Sequence, residues 1–149
     1  AYKPDEFRAF FAYHDALMDR ESGLSKGEKE MIVVATSALN RCIYCVVAHG
    51  AILRIREKNP RISEQLAGNH RKSAITPRQR AMLDYAVKVS QESHKVEEAD
   101  HKALAQAGFT QDDVWEIGAI AAFFAMSNRL ANMASIAPNA EFYDLGRQF

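Results

Sequence analysis

Both cysteines of the chain lie in one short stretch, Glu30 to His49, which reads EMIVVATSALNRCIYCVVAH. Cys42 and Cys45 form a Cys-x-x-Cys pair; His49 follows Cys45 by four residues, and Glu30 precedes Cys42 by twelve. Two thiols, an imidazole and a carboxylate in otherwise mostly apolar surroundings suit a redox dithiol with its own proton relay. Other uses of the pair fit less well. A c-type haem site needs His directly after the second cysteine, and Val46 stands there. Zinc could take Cys42, Cys45 and His49, with Glu30 or water as a fourth ligand. That would crowd three ligands onto one helical face, with no second Cys/His pair to close a structural site. A thioredoxin fold lacks support, because no βαβ pattern surrounds the motif.

The spacing dictates how the groups can meet. On a helix starting near Cys42, the side chains of Cys42, Cys45 and His49 fall within about 60° of one another around the axis. Cβ atoms three residues apart lie about 5–6 Å from each other, and a disulfide wants ~3.8 Å, so a small local closure allows oxidation. Glu30 cannot share that straight helix, since twelve residues would carry it ~18 Å along the axis. The chain must therefore turn between them. Asn40-Arg41 is the expected corner, because Asn tolerates turn and cap conformations. The cysteines then sit in the first turn of the new helix, where orphan N–H groups and the dipole are expected to lower a thiol pKa.

The elements around this corner read as helices. Pro4 to Arg20 suits a helix with Pro4 in its first turn and Gly23 as a C′ residue after its end. Ser25-x-x-Glu28 resembles a capping box and opens the helix that carries Glu30, whose carboxylate hangs over an apolar stripe and needs a partner. A third helix runs from about Cys42 to Glu57 and stops before Asn59-Pro60, with His49 partly buried. A short helix follows over Ile62 to Ala67. The segment Arg54 to Arg80 carries eight Lys/Arg against two Glu and reads as a solvated face. Thr76-Pro77 starts the next helix, and Glu97 to Ala107 is an amphipathic one closed by Gly108. Thr110 caps the last, which runs through VWEIGAIAAFFAMSNRLANMASI and stops before Pro138. That segment is apolar on nearly all sides, so it is expected at the centre of a bundle or at a subunit contact, with Trp115 in the core. The methionines read as helix filler. His14, His70, His94 and His101 read as surface or packing residues. No strand pattern is visible, and the fold class is all-α.

Composition bounds the rest. A chain of 149 residues, 48% hydrophobic and 26% charged, is expected to be a single domain over 1–149 that buries its own core. Lys plus Arg equal Asp plus Glu, 19 each, so no net field points to nucleic acid or to an anionic membrane. No signal peptide is visible and no apolar run reaches the length of a membrane span, so a cytoplasmic protein is expected. The first residue is Ala rather than Met, and the sequence is expected to begin inside a longer chain.

The pattern Glu30-x11-Cys42-x2-Cys45-x3-His49 resembles the signature of the AhpD-like alkylhydroperoxidases, within the carboxymuconolactone decarboxylase superfamily. The stretches SALNRCIYCVVAHGAILR, TPRQRAMLDYAVKV and AAFFAMSNRLAN resemble its peroxidase-related branch, and the likeness covers about Leu24 to Pro138. Two departures stand out. Tyr44 occupies the place where relatives carry a second His between the cysteines, and the leading segment usual in the branch is expected to lie outside this sequence. Decarboxylase members lack the cysteine pair, which argues against their reaction. The resemblance implies a compact AhpD-like bundle completed by homo-oligomerisation and a thiol peroxidase acting on hydrogen peroxide or organic hydroperoxides, with no cofactor. It makes Cys45 the peroxidatic thiolate, Cys42 the resolving thiol, His49 the base and Glu30 the group that orients His49. A dithiol protein or small thiol would act as reductant. Alternatives using the same stretch are a protein-disulfide reductase, a redox sensor, or a non-catalytic helical oligomer module.

Overall fold

The computed structural model describes residues 2–149 and is all-α, with no strand among the described residues. Seven α-helices follow in order: α1 (Pro4–Met18), α2 (Lys26–Leu39), α3 (Ile43–Glu57), α4 (Ile62–Asn69), α5 (Pro77–Glu92), α6 (Glu98–Gln106) and α7 (Gln111–Met133). A short 3-10 turn over Ala140–Tyr143 lies in the tail. The local signals explain the starts. Ser25/Glu28, Thr76/Gln79 and Thr110/Asp113 each close a capping box, satisfying two orphan N–H groups reciprocally. No helix among the described residues is long and apolar enough to cross a membrane.

The centre of the bundle is α2, not α7. Every residue from Gly27 to Ser37 is buried, and α2 packs against α3, α4, α5 and α7. The apolar residues Met31 to Ala35 join Leu53 of α3, Leu66 of α4, Met82 and Leu83 of α5, and Ile117, Ile120 and Phe124 of α7 in one core. Three consecutive charged residues of α2, Glu28, Lys29 and Glu30, lie in that interior. Burial is tolerable because each charge has a partner on another element. Glu28 accepts from Arg78 of α5 at 2.5 Å, Lys29 pairs with Glu116 of α7 at 2.8 Å, and Glu30 bonds His49 of α3 at 2.6 Å.

Lysines of α2 also finish α1. Lys29 Nζ donates to the carbonyls of Leu17 and Arg20 at 2.8 and 2.7 Å, and Lys26 Nζ donates to those of Met18 and Asp19. These carbonyls at the end of α1 have no intrahelical partner and would otherwise need water. The helix stops at Met18, so Gly23 is not its C′ residue. Gly23 is instead a close approach, with Asp113 occupying the space a Cβ would need.

Three further expectations are corrected. Trp115 is 76% exposed on α7, in line with the half-exposed Met126 and the exposed Met133, so α7 buries one side only. Its helix ends at Met133, and Ser135 takes a left-handed φ of 53° before Pro138 is reached. Arg54 does not belong to a solvated face. It is buried and donates to the carbonyls of Leu145 and Phe142 and to Ser63 Oγ, strapping the tail across α3.

The buried Lys29–Glu116 pair generates a stability test. Replacing Lys29 by Met strands the Glu116 carboxylate and the α1 carbonyls, and urea unfolding should show a loss of about 3–5 kcal/mol. The double variant Lys29→Met/Glu116→Leu should recover much of that loss, because no charge is left unpaired in the interior.

Candidate active site

α2 and α3 run antiparallel, joined by the corner Asn40 to Cys42 that the sequence called for. Its hydrogen bonds form a Schellman motif. Cys42 N–H donates to Ser37 O, Arg41 N–H donates to Ala38 O, and Arg41 takes the left-handed conformation at φ 56°. A non-glycine residue there costs about 1 kcal/mol or more, so the surroundings must hold it. They do so through Asn40. Its amide donates to Asn128 Oδ1 at 3.0 Å, its side-chain oxygen accepts from Gln91, and its backbone carbonyl accepts from Asn132.

The corner delivers Cys42 to the N-cap of α3, with Cys45 in the first turn. Cys45 N–H donates to Cys42 Sγ at 3.4 Å. Both thiols are free and buried, in a small cluster with Tyr44 and Ala131 set apart from the main core. The expected lowering of a thiol pKa is overturned at Cys45, which is pushed up to about 12. Burial is the main cause, followed by the hydrogen bond and charge of Cys42; Asn128 and Ser127 pull the other way. The two sulfurs at the start of α3 are buried although Ile43 beside them is exposed, and loss of water at the thiol outweighs the helix dipole.

One turn beyond Cys45, His49 Nδ1–H donates to Glu30 Oε2 at 2.6 Å. The carboxylate accepts, so the proton sits on Nδ1 and Nε2 is left for exchange. Phe124 packs against the imidazole in a T-shaped arrangement with ring centroids 4.9 Å apart. A cleft of 290 Å³ opens beside this pair. Its walls include His14, Lys26, Glu30, His49 and Arg56, and neither cysteine lines it. The four residues singled out from sequence thus form two pairs, Cys42 with Cys45 and Glu30 with His49, joined through α3. Among the described residues no group of three or more His, Cys, Asp or Glu is arranged to hold a metal ion.

Sequence reasoning missed several neighbours. Asn128 is fully buried, donates to Ser37 Oγ at 2.9 Å and, with Ser127, acts on the Cys45 sulfur. The signal was there, since Ser127-Asn128 interrupts the most apolar run of the chain. His14 had no such marker, because only the docking of α1 places it on the cleft wall.

An all-α bundle with a dithiol at the start of one helix, and a Glu/His pair one turn on, defines a class of helical dithiol proteins. Residues 4–67 match the Carboxymuconolactone decarboxylase family. The chain is 63% identical to an uncharacterized peroxidase-related protein from Ralstonia eutropha JMP134, described as an alkylhydroperoxidase AhpD core. That match has a TM-score of 0.97 and covers 98% of this chain and 77% of the other. It is 43% identical to an uncharacterized peroxidase-related protein from Silicibacter sp. TM1040, with a TM-score of 0.93 over 96% and 75% of the two chains. A protein of unknown function from Agrobacterium tumefaciens, a candidate antioxidant defence protein AhpD, shares the fold at 20% identity. There the TM-score is 0.79, over 93% and 94% of the two chains. No curated protein matches the sequence. The chain belongs to the AhpD-like, carboxymuconolactone decarboxylase superfamily, in its peroxidase-related branch.

The Cys45 environment sets a pH dependence. The ordinary thiol ionises near 9.0 and the folded one near 12, so the folded state holds this proton more tightly. The resulting stabilisation is present in full below about pH 9 and is lost as the pH rises towards 12. In Cys45→Ala, urea denaturation across this window should show a shallower fall in stability than in the parent. Equal slopes would contradict the assignment.

Proposed function

We propose that the protein is a thiol-dependent peroxidase that reduces hydrogen peroxide or organic hydroperoxides through Cys42 and Cys45. The observation that carries this reading is the 2.6 Å Glu30–His49 bond, held one helical turn from a buried cysteine pair. A buried thiol pushed up to about 12 does not ionise unaided at neutral pH, and an adjacent base is the remedy.

In the first step His49 takes the Cys45 proton and the sulfur attacks one peroxide oxygen. The O–O bond breaks, Cys45 becomes a sulfenic acid, and the departing alkoxide receives the proton and leaves as an alcohol. Glu30 holds the imidazole in one orientation and stabilises its protonated form. In the second step the Cys42 sulfur attacks the sulfenic sulfur, forming the disulfide and releasing water. A dithiol reductant of protein or small-molecule type then returns two electrons and two protons by thiol–disulfide exchange. Cys45 is assigned the attack because it is the cysteine nearer His49. Homo-oligomerisation belongs to this reading, supported by the exposed Trp115, Met126 and Met133 along one side of α7.

A second reading, a protein-disulfide reductase, draws on the exposed Leu39 and Ile43 that flank the cysteine corner and offer apolar surface to a protein partner. Peroxide and a protein disulfide would then compete as oxidants, and the faster identifies the function.

Stopped-flow mixing of reduced protein with hydrogen peroxide and with an organic hydroperoxide, with thiols counted before and after, tests the proposal. The parent should lose two thiols per chain in a burst. Cys42→Ser should keep the burst without forming an intramolecular disulfide, and Cys45→Ser should abolish it; the reverse pattern exchanges the two roles. Glu30→Gln should slow the burst by about 10²-fold and move its pH dependence. An unchanged pH–rate profile would count against the relay.

A further inference from the structure

The cleft beside the Glu30–His49 pair has a second imidazole on its wall, that of His14 on α1. We propose that His14 is the proton-exchange residue of this site, passing protons between solvent and His49 through water in the cleft. Its consequence for turnover rests on the peroxidase reading; the exchange itself rests on geometry.

The relay pair is nearly closed off. The side chains of His49 and Glu30 keep 13% and 10% of their exposure, while that of His14 keeps 25%. The two imidazole centroids are 6.4 Å apart with the planes tilted by 49°. That is too far for a direct hydrogen bond, which needs about 2.7–3.2 Å between nitrogens, and suits a bridge through water. The 290 Å³ cleft is ample for it, since one water takes about 30 Å³. His14 is also held in place. Phe11, Phe123 and Phe124 pack around it at 6.1–6.3 Å between centroids. Its Nδ1–H donates to Asp15 Oδ1 at 3.0 Å, which leaves Nε2 to trade protons.

The other charged groups facing His14 are Asp15 and Asp19 from α1 and its end, Lys26 and Glu30 from α2, and His49 and Arg56 from α3; α7 presents only Phe123 and Phe124. Lys26 is tied to the carbonyls of Met18 and Asp19, and Glu30 to His49. Imidazole is the side chain that both gives and takes a proton near neutral pH, and His14 is the one on this wall besides His49 itself. Only N–H and O–H bonds change: a proton leaving His49 enters cleft water and His14, and returns by the same route. His14 acts through His49 and is a positioning residue for the chemistry at sulfur.

The test reads proton exchange between the His49 imidazole and water by NMR of nitrogen-15-labelled protein, following both ring nitrogens from pH 6 to 8 in dilute buffer. His14→Gln and His14→Phe should slow that exchange about tenfold or more, and millimolar imidazole should restore it. Equal exchange in parent and variants, or slowing that imidazole leaves untouched, overturns the proposal. The peroxide burst is recorded on the same samples. Slowed and rescued exchange in a protein whose thiols ignore peroxide removes the peroxidase reading and keeps His14 in this role. A normal burst with exchange indifferent to His14 does the opposite.

Discussion

Three consecutive charges inside the bundle govern this structure. Glu28, Lys29 and Glu30 lie on the most buried helix, and an unpaired charge in such a place costs several kcal/mol. Each therefore ties α2 to a different helix: Glu28 to Arg78 on α5, Lys29 to Glu116 on α7, Glu30 to His49 on α3. Apolar burial gives the bundle most of its cohesion, but it is non-directional. The ion pairs are directional, and a sliding or rotation of α2 would break all three. The Glu30–His49 contact is thus one member of a set that also fixes the register of the fold, and the groups suited to proton transfer inherit a rigid setting.

The cysteine corner is built differently. Its geometry comes from backbone hydrogen bonds that force Arg41 into the left-handed region, and from amide side chains of α5 and α7 that grip Asn40. Asn128 serves two purposes there. It completes the grip and stands beside the Cys45 sulfur. His49 and the sulfurs occupy adjacent turns of α3 but separate environments: the first, with Glu30, opens on the 290 Å³ cleft, and the second is packed against Ala131 and Tyr44. The proton transfer and the sulfur chemistry proposed above would have different neighbours in consequence.

Much of this was legible in the chain itself. The capping boxes at Ser25, Thr76 and Thr110 and the corner at Asn40-Arg41 follow from residue types and spacing, because local hydrogen bonding decides them, and it is that corner which brings Glu30 back to His49. The failures have one physical source, which is that pairing across helices is invisible along a sequence. The carboxylate of Glu30 was expected to need a partner, but the partners of Glu28 and Lys29, which are Arg78 and Glu116, come from helices far along the chain. Trp115 looked like core because apolarity was read without knowing which side of α7 meets the bundle. Arg54 looked solvated because its partners, the carbonyls of Phe142 and Leu145, lie some ninety residues away. The Cys45 thiol was expected to be acidic from its position on the helix, and burial, with Cys42 beside it, reversed the sign.

The sulfur of Cys42 also does the work usually given to a serine or aspartate, receiving the amide proton of Cys45 at the head of α3. On the reaction proposed above, joining the two sulfurs would draw Cys42 toward its neighbour's side chain and away from that amide, so the helix would lose its cap in the same event that removes two electrons. Fraying at this end and the chemical shift of a single amide would then track the oxidation level, and the backbone would carry a gauge of how many electrons the protein holds.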